Sequence, residues 1–114
     1  MVAKHTLRFA EINKDIFQAI RDGRKKVETR AGSTKYQKIK SGDVLVLSCS
    51  GKKFEKKIQK VRHFSSIKEI LKKYKPEEIN PKTHSLEETE KMYYSFTGYK
   101  EKIKKLGLFA FELE

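Results

Sequence analysis

The hydrophobic pattern changes its period twice within the first thirty residues. Residues 5–9 alternate polar and apolar side chains, which predicts a short opening strand. Residues 13–22 then place apolar side chains three or four positions apart, which predicts a helix, and Gly23 follows where a left-handed residue would end it. Residues 25–29 carry β-branched side chains at alternate positions and predict a second strand, on which Glu28 and Arg30 share a face.

The middle of the chain reads as two more strands. Residues 44–49 form a mainly apolar run and residues 54–64 mix apolar and polar positions, and a turn at residues 50–51 separates the two. The second of these strands does not alternate regularly, because Phe54 and Ile58 would point to one face of a regular strand and Val61 to the other. An extra residue of this kind predicts a β-bulge or a sheet that curls.

The second half is mostly helical by the same criteria. Ser66 and Ser85 are each followed three residues later by a glutamate, which is typical of a capping box at a helix start. The predicted segments are a helix at 67–74 that Pro76 stops, a loop at 77–84, a helix to about residue 96, a short helix at 100–106 and a closing strand at 108–114.

These segments predict an α+β fold. About five strands and three or four helices are spaced too irregularly for repeated β-α-β units, so we expect a small mixed curled sheet or β-barrel with helices packed against it. A chain of 114 residues without a linker rich in proline, glycine or serine is expected to form a single domain, residues 1–114.

Other sequence features exclude several classes of protein. The first fifteen residues lack the apolar run of a signal peptide, and no stretch approaches the roughly 20 apolar residues that span a bilayer. A cytoplasmic location without a membrane partner is therefore expected. The single cysteine, Cys49, excludes an internal disulfide and a cysteine zinc cluster, and the three histidines show no ligand spacing. We accordingly expect no metal and no cofactor.

Charge points to an anionic partner. The chain has 27 Lys and Arg against 15 Asp and Glu, a formal net charge of +12. Such a charge repels itself unless it faces anions, so a nucleic acid, a nucleotide or an acidic protein surface is the leading expectation. The alternative is a lysine-rich composition that reflects the host or adaptation to heat.

The densest candidate site is the stretch GRKKVETR, residues 23–30. Gly23 allows a tight turn, so three successive cations come together at the junction of a helix and a strand, and Glu28 can orient one of them or accept a hydrogen bond from a ligand. A base edge or a phosphate would match this mixture. The alternative is an exposed ladder of lysine and glutamate with little energetic value.

A second basic stretch and several aromatic residues extend this hypothesis. Residues 52–75 hold ten Lys and Arg against two Glu, and these charges are equally compatible with a phosphate-binding track and with a solvated face. Among the aromatic residues, Tyr36 and Tyr94 are the candidates for stacking on unpaired bases, whereas Tyr93 and Phe96 have the spacing of core residues.

The pattern Gly23-x-Lys25-x-x-Glu28-x-Arg30, followed by KIKSGDVLVL, resembles the ASCH domain of the PUA-like superfamily. The later segments SLEETEKMYYSFTGY and GLFAFEL are similar to those of small, stand-alone archaeal and bacterial ASCH proteins. The resemblance implies a five- or six-stranded β-barrel with a cleft beside the motif, proposed to bind RNA or a nucleotide-like ligand. It also implies that Lys25, Glu28 and Arg30 line the cleft and that Gly23 shapes its entrance.

Some small ASCH proteins are amidohydrolases that act on acetylated cytidine, and ribonuclease activity is reported within the broader family. The amidohydrolases carry a threonine where this chain has Glu28, and a glutamate in the loop that here reads NPKTHS. A hydroxyl can be a nucleophile activated by a lysine, whereas a carboxylate more naturally pairs with that lysine.

Binding of RNA or a nucleotide-like ligand is therefore the leading hypothesis. A hydrolase or ribonuclease with Lys25 and Glu28 as catalytic residues is the alternative, and an adaptor for an acidic protein is a third. The residues expected to bind are Gly23, Arg24, Lys25, Lys26, Glu28, Arg30, Tyr36 and Tyr94.

Overall fold

The computed structural model describes residues 2–114. One five-stranded sheet has the strand order β1-β3-β4-β5-β2. The strands are β1 (Lys4–Phe9), β2 (Val27–Ala31), β3 (Val44–Cys49), β4 (Lys52–Phe64) and β5 (Leu108–Leu113). β1 is parallel to β3, and the other neighbouring pairs are antiparallel. The helices are α1 (Lys14–Arg21), α2 (Thr34–Gln37), α3 (Ile67–Ile70), α4 (Pro76–Ile79), α5 (Leu86–Tyr94) and α6 (Tyr99–Leu106).

The long strand β4 makes the sheet curl. Its first half pairs with β3 and its second half with β5. Between them the register shifts, because Ile58 lies opposite Leu113 and Lys60 opposite Glu112, which leaves Gln59 as an extra residue. A bulge of this kind bends the strand and increases its twist. The predicted bulge is confirmed, and so is the α+β fold with a curled mixed sheet, which takes the form of a half-barrel.

Two hydrophobic clusters occupy the two faces of the sheet. The first contains Phe17 and Ile20 of α1, packed against strand residues that include Phe111. The second contains residues of α3, α5 and α6, packed against Leu108 and Ala110. Alternate residues of β5 therefore enter opposite clusters, which explains why the closing segment LFAF is apolar at every position. β5 is an interior strand, and β1 and β2 are the two edges.

The predicted boundaries differ from the structure mainly in short helices. The helix expected at 67–74 is confined to α3 and continues as turns. Pro76 occupies the first turn of α4, where its missing N–H costs nothing, so the expected loop at 77–84 begins with a helical turn. α2 was not predicted, because four residues are too few to show a helical period. Within the described part of the chain, no helix has the length and apolarity needed to cross a bilayer.

Candidate functional site

A cleft of about 270 Å³ lies at the open seam of the half-barrel. β1 and β2 are at opposite ends of the strand order, and the curl of the sheet brings them together there. The guanidinium carbon of Arg30 on β2 lies 5.0 Å from the ring centroid of Phe9 on β1, a cation–π contact that links the two edges. One wall comprises β1 and the start of α1, with Arg8, Phe9, Ala10, Asn13 and Ile16. A second comprises β2 and the segment before it, with Lys25, Glu28, Thr29 and Arg30. The third comprises the helices and the residues that follow them, with Ile79, Asn80, Met92, Tyr93, Phe96 and Tyr99.

A chain of three charged side chains, two buried and one half-buried, forms the β2 wall. Lys25 Nζ lies 3.2 Å from Glu28 Oε1, and the Arg30 Nη2 lies 3.2 Å from Glu28 Oε2. Lys25 is 3% exposed and Glu28 is 6% exposed. Each carboxylate oxygen of Glu28 is thus paired with a different cation, and alternation along the strand places Glu28 and Arg30 on the same face, as predicted.

Lys25 and Glu28 also cap the free edge of β2. The backbone N–H of Leu113 donates to the carbonyl of Lys26 at 2.8 Å, so by alternation the backbone groups of Val27 and Thr29 point away from β5. Lys25 Nζ donates to the Val27 carbonyl, and the Thr29 N–H donates to Glu28 Oε1 at 3.0 Å. Unpaired edge groups are otherwise a template for unwanted strand pairing. The charged pair is therefore buried partly because it completes the hydrogen bonding of an edge strand.

Burial and mutual attraction shift the pKa values in this site. Burial lowers the pKa of Lys25, although the charge of Glu28 opposes the shift. Burial alone would raise the pKa of Glu28, but the charges of Lys25 and Arg30 outweigh it and hold that pKa below its ordinary value. Burial likewise disfavours the charged form of Arg30, and the Glu28 carboxylate more than compensates, so the pKa of Arg30 is raised. The wall thus combines two basic side chains with one carboxylate, which lies between them.

One donor in this wall has no partner. Arg30 Nε is buried and makes no hydrogen bond within residues 2–114. A buried N–H without an acceptor is costly, by about 1–3 kcal/mol. Because the wall has two basic side chains for one carboxylate, it is complementary to an anion or to an acceptor-rich group. No cluster of three metal-ligating side chains is found among the described residues.

The helical wall is aromatic. The rings of Tyr93 and Tyr99 stack at a centroid distance of 6.4 Å and an angle of 17°, and Phe96 meets Tyr99 edge-to-face at 5.1 Å. The Tyr93 hydroxyl is hydrogen-bonded to the Thr29 hydroxyl. Burial raises the pKa values of Tyr93 and Tyr99, so both phenols stay protonated at neutral pH. Phe96 is 37% exposed and forms part of the rim.

The structure brings together only part of the predicted set of binding residues. Lys25, Glu28 and Arg30 line the cleft. Gly23 has φ +80° and ends α1, which turns the chain so that Lys25 points inward. The other four lie outside the cleft. Arg24 pairs with Asp22 on the surface, Lys26 is exposed, Tyr36 packs near Phe111, and exposed Tyr94 lies beneath Lys100.

Several lining residues were not predicted to belong to the site. Arg8 and Phe9 were assigned only to an opening strand, and nothing in the local pattern shows that this strand meets β2. Phe96 was interpreted as a core residue, yet it lies on the rim. Tyr99 lines the cleft and also contacts the second cluster. Phe96 and Tyr99 follow shortly after the end of α5, with Thr97 and Gly98 between them. Two aromatic residues beside a glycine, just past a helix end, are the signal in the sequence that could have marked them as site residues.

Acidification is expected to remove the stabilising contribution of Glu28. Its pKa in the folded protein lies below the ordinary value of 4.5. The contribution is therefore fully present above about pH 4.5 and is lost as the pH falls through the lowered pKa. Free energies of unfolding, measured in urea at about pH 7 and about pH 3.5, should fall further in the wild type than in Glu28→Gln. An equal fall in both proteins would show that the other carboxylates carry the whole acid dependence.

Comparisons with known proteins agree with this architecture. Two solved structures align over the whole chain: a crystal structure of hypothetical protein PH0355 and a solution NMR structure of protein PF0455 from Pyrococcus furiosus. The first has a TM-score of 0.81 and 33% sequence identity, and the alignment covers 100% of this chain and 98% of that one. The second has a TM-score of 0.72 and 31% identity, with 100% and 96% covered. No curated protein matches the chain.

The family assignment rests on a match to nearly the entire sequence. Residues 11–114 match the family model of the ASCH domain. This range includes the Lys25, Glu28 and Arg30 motif, the bulged strand β4 and the closing strand β5. The resemblance seen in the sequence is confirmed, and the chain belongs to the ASCH domain family.

Proposed function

We propose that the cleft binds a nucleotide-like ligand, in which a planar base carries a sugar and an anionic group. The observation that carries this proposal is the chain of Lys25, Glu28 and Arg30, which opens into a cleft whose helical wall is aromatic. Aromatic rings stack on bases, and Arg guanidinium groups bind phosphates through several N–H donors at once. Membership of the ASCH family, whose PUA-like fold is generally associated with nucleic-acid binding, supports the same conclusion.

The size of the cleft favours a single nucleotide unit. Its volume of about 270 Å³ is slightly below the roughly 300–1,000 Å³ of pockets that hold drug-sized ligands. A base stacked against Phe96 and Tyr99 would leave its anionic group close to the β2 wall. The ligand is therefore a free nucleotide, or one unpaired nucleotide of an RNA chain.

Each charged residue has a distinct role in this proposal. Arg30 binds the anionic group, because Glu28 engages only one of the two terminal nitrogens of its guanidinium group. Glu28 holds Arg30 and Lys25 in place, since both of its oxygens already accept hydrogen bonds. Lys25 donates to Val27 and Glu28, and its remaining N–H can contact the ligand.

Arg30→Met is expected to weaken nucleotide binding without unfolding the protein. The substitution removes one cation and leaves Lys25 and Glu28 as a neutral pair. A hydrogen bond to a charged group contributes about 1.5–3 kcal/mol, so the dissociation constant should rise about 10- to 100-fold. Isothermal titration calorimetry with nucleosides and nucleoside monophosphates measures this change. Arg24→Met is the matched control, because Arg24 is an exposed cation outside the cleft.

Two results would overturn the binding proposal. One is the absence of binding by any nucleoside or nucleotide to the wild type at low salt. The other is equal affinity in Arg30→Met and Arg24→Met. Conversion of acetylated cytidine or of RNA by the wild type, lost in Lys25→Ala, would favour the hydrolase hypothesis instead. That hypothesis needs the amine of Lys25 as a base or as the activator of a nucleophile, but this amine donates to the Val27 carbonyl and to the Glu28 carboxylate.

A further inference from the structure

A second basic surface lies on the outer face of the first three strands in the sheet order. The residues of this face alternate with the core residues along each strand. We call it the basic sheet face; it comprises Lys4, Thr6 and Arg8 of β1, Val44, Val46 and Ser48 of β3, and Lys53, Glu55 and Lys57 of β4. All nine are exposed or half-buried, and none belongs to either hydrophobic cluster. The face is therefore open to a partner.

The register places four cations at the corners of this face. Lys4 and Lys57 lie on either side of Val44, and Arg8 and Lys53 lie on either side of Ser48. Strands are about 4.8 Å apart and rise about 3.3 Å per residue, so the corners are about 10 Å apart across the strands and about 13 Å along them. Glu55 pairs with Lys4 at 3.1 Å and is the single acid among the nine residues.

The basic sheet face is continuous with the cleft. Arg8 belongs to the face by its register opposite Ser48, and it also lines the cleft. Beside it, on the free edge of β1, Lys35 Nζ donates to the Thr6 carbonyl at 3.1 Å and adds another cation. A chain leaving the cleft past Arg8 would therefore pass directly onto a surface of positive charge.

We propose that the basic sheet face binds the sugar–phosphate backbone of a single-stranded RNA, one nucleotide of which occupies the cleft. The inference rests on the proposed function of the cleft and extends it from one nucleotide to a chain. A single strand fits better than a duplex, because the cleft accepts an unpaired base. The face has no aromatic side chain on which bases could stack, so its contacts are to phosphates, and its binding depends on salt and not on sequence.

The test compares two triple variants that each lower the net charge by three. The first, Lys4→Thr, Lys53→Thr and Lys57→Thr, removes three corners of the face and leaves Arg8 in the cleft. The control, Lys72→Gln, Lys104→Gln and Lys105→Gln, removes three exposed lysines that lie outside the basic sheet face. Each set contains one lysine that pairs with an exposed glutamate. Fluorescence anisotropy with a ten-nucleotide RNA over a range of salt concentrations gives the affinities.

The face variant is expected to bind the oligonucleotide at least tenfold more weakly than the control at low salt. Each phosphate contact on a single strand contributes roughly 0.7 to the slope of log affinity against log salt, so the slope should shrink by about 2. Binding of a mononucleotide should be unchanged. Equal losses in both variants, or none in the face variant, would overturn the proposal. If oligonucleotide binding depended on Lys4, Lys53 and Lys57 while the wild type bound no mononucleotide, the basic sheet face would be supported and the proposed function of the cleft overturned.

Discussion

Glu28→Gln is expected to lower the free energy of unfolding by about 3–5 kcal/mol, the cost of breaking a buried ion pair from one side. Glutamine keeps the shape of the side chain and removes its charge. Lys25 and Arg30 would then remain as two cations in the same buried wall, without the carboxylate that lies 3.2 Å from each of them. Urea denaturation followed by circular dichroism at neutral pH measures the loss.

Lys25→Met should cost less than Glu28→Gln, although both residues are buried. Removing Lys25 leaves Glu28 and Arg30 as a neutral pair, so no charge is left without a partner. The main loss is the hydrogen bond to the Val27 carbonyl, worth about 1–3 kcal/mol if that carbonyl stays unsatisfied. A larger loss of unfolding free energy in Glu28→Gln than in Lys25→Met would therefore show that the wall has an excess of positive charge.

An exposed pair provides the control for both variants. Glu55 on β4 pairs with Lys4 at 3.1 Å, as Glu28 pairs with Lys25 at 3.2 Å, but the side chain of Glu55 is 51% exposed. Glu55→Gln should change stability by less than about 1 kcal/mol. Similar costs for Glu28→Gln and Glu55→Gln would contradict the buried, charge-coupled wall described above.

Gly107→Ala is expected to destabilise the protein by about 3–5 kcal/mol, because two penalties coincide. Gly107 has φ +74° and ψ −158°, a conformation that is essentially confined to glycine and costs other residues about 1–3 kcal/mol. An added Cβ would also collide with the Phe64 carbonyl oxygen and lie 2.7 Å from His63 Nε2. Overpacking of this kind costs about a further 1–3 kcal/mol. The effect should appear as a lower midpoint of urea unfolding.

Gly51→Ala separates the two penalties. Gly51 has φ +84°, but a Cβ there would meet no atom within 4 Å. It should therefore show only the conformational cost, about 1–2 kcal/mol. Gly107 joins α6 to β5, so its variant should also weaken nucleotide binding through displacement of Tyr99. If both glycine variants lost the same stability, the close packing of Gly107 against β4 would be wrong.

Local periodicity predicted the elements well where they were long enough to show a period. α1, β3 and the bulge in β4 were each predicted from apolar residues that lie only a few positions apart in the sequence. The short helices α2 and α4 were missed, because one turn cannot be distinguished from a loop by its pattern. The extent of α3 was overestimated for a related reason: the apolar spacing over 67–74 persists through turns that pack against the same cluster.

The candidate site was predicted only where its residues are close in sequence. Lys25, Glu28 and Arg30 were identified from their spacing and from the ASCH resemblance, and the structure places all three in one wall. Tyr36 and Tyr94 were chosen as candidates for stacking on unpaired bases, but both lie outside the cleft. Which aromatic residues line the cleft depends on where α5 and α6 pack against β2, and that packing joins segments about sixty residues apart.

Composition and short-range spacing were sufficient to predict the strands, the longer helices, the α+β class, the excess of positive charge and the charged motif. Three features were visible only in the folded protein: β1 lies opposite β2 across the cleft, Lys25 and Glu28 are buried, and four cations form the corners of one sheet face. These features depend on the curl of β4 and on strand register. Both are set by contacts between residues far apart in the chain, which no local pattern contains.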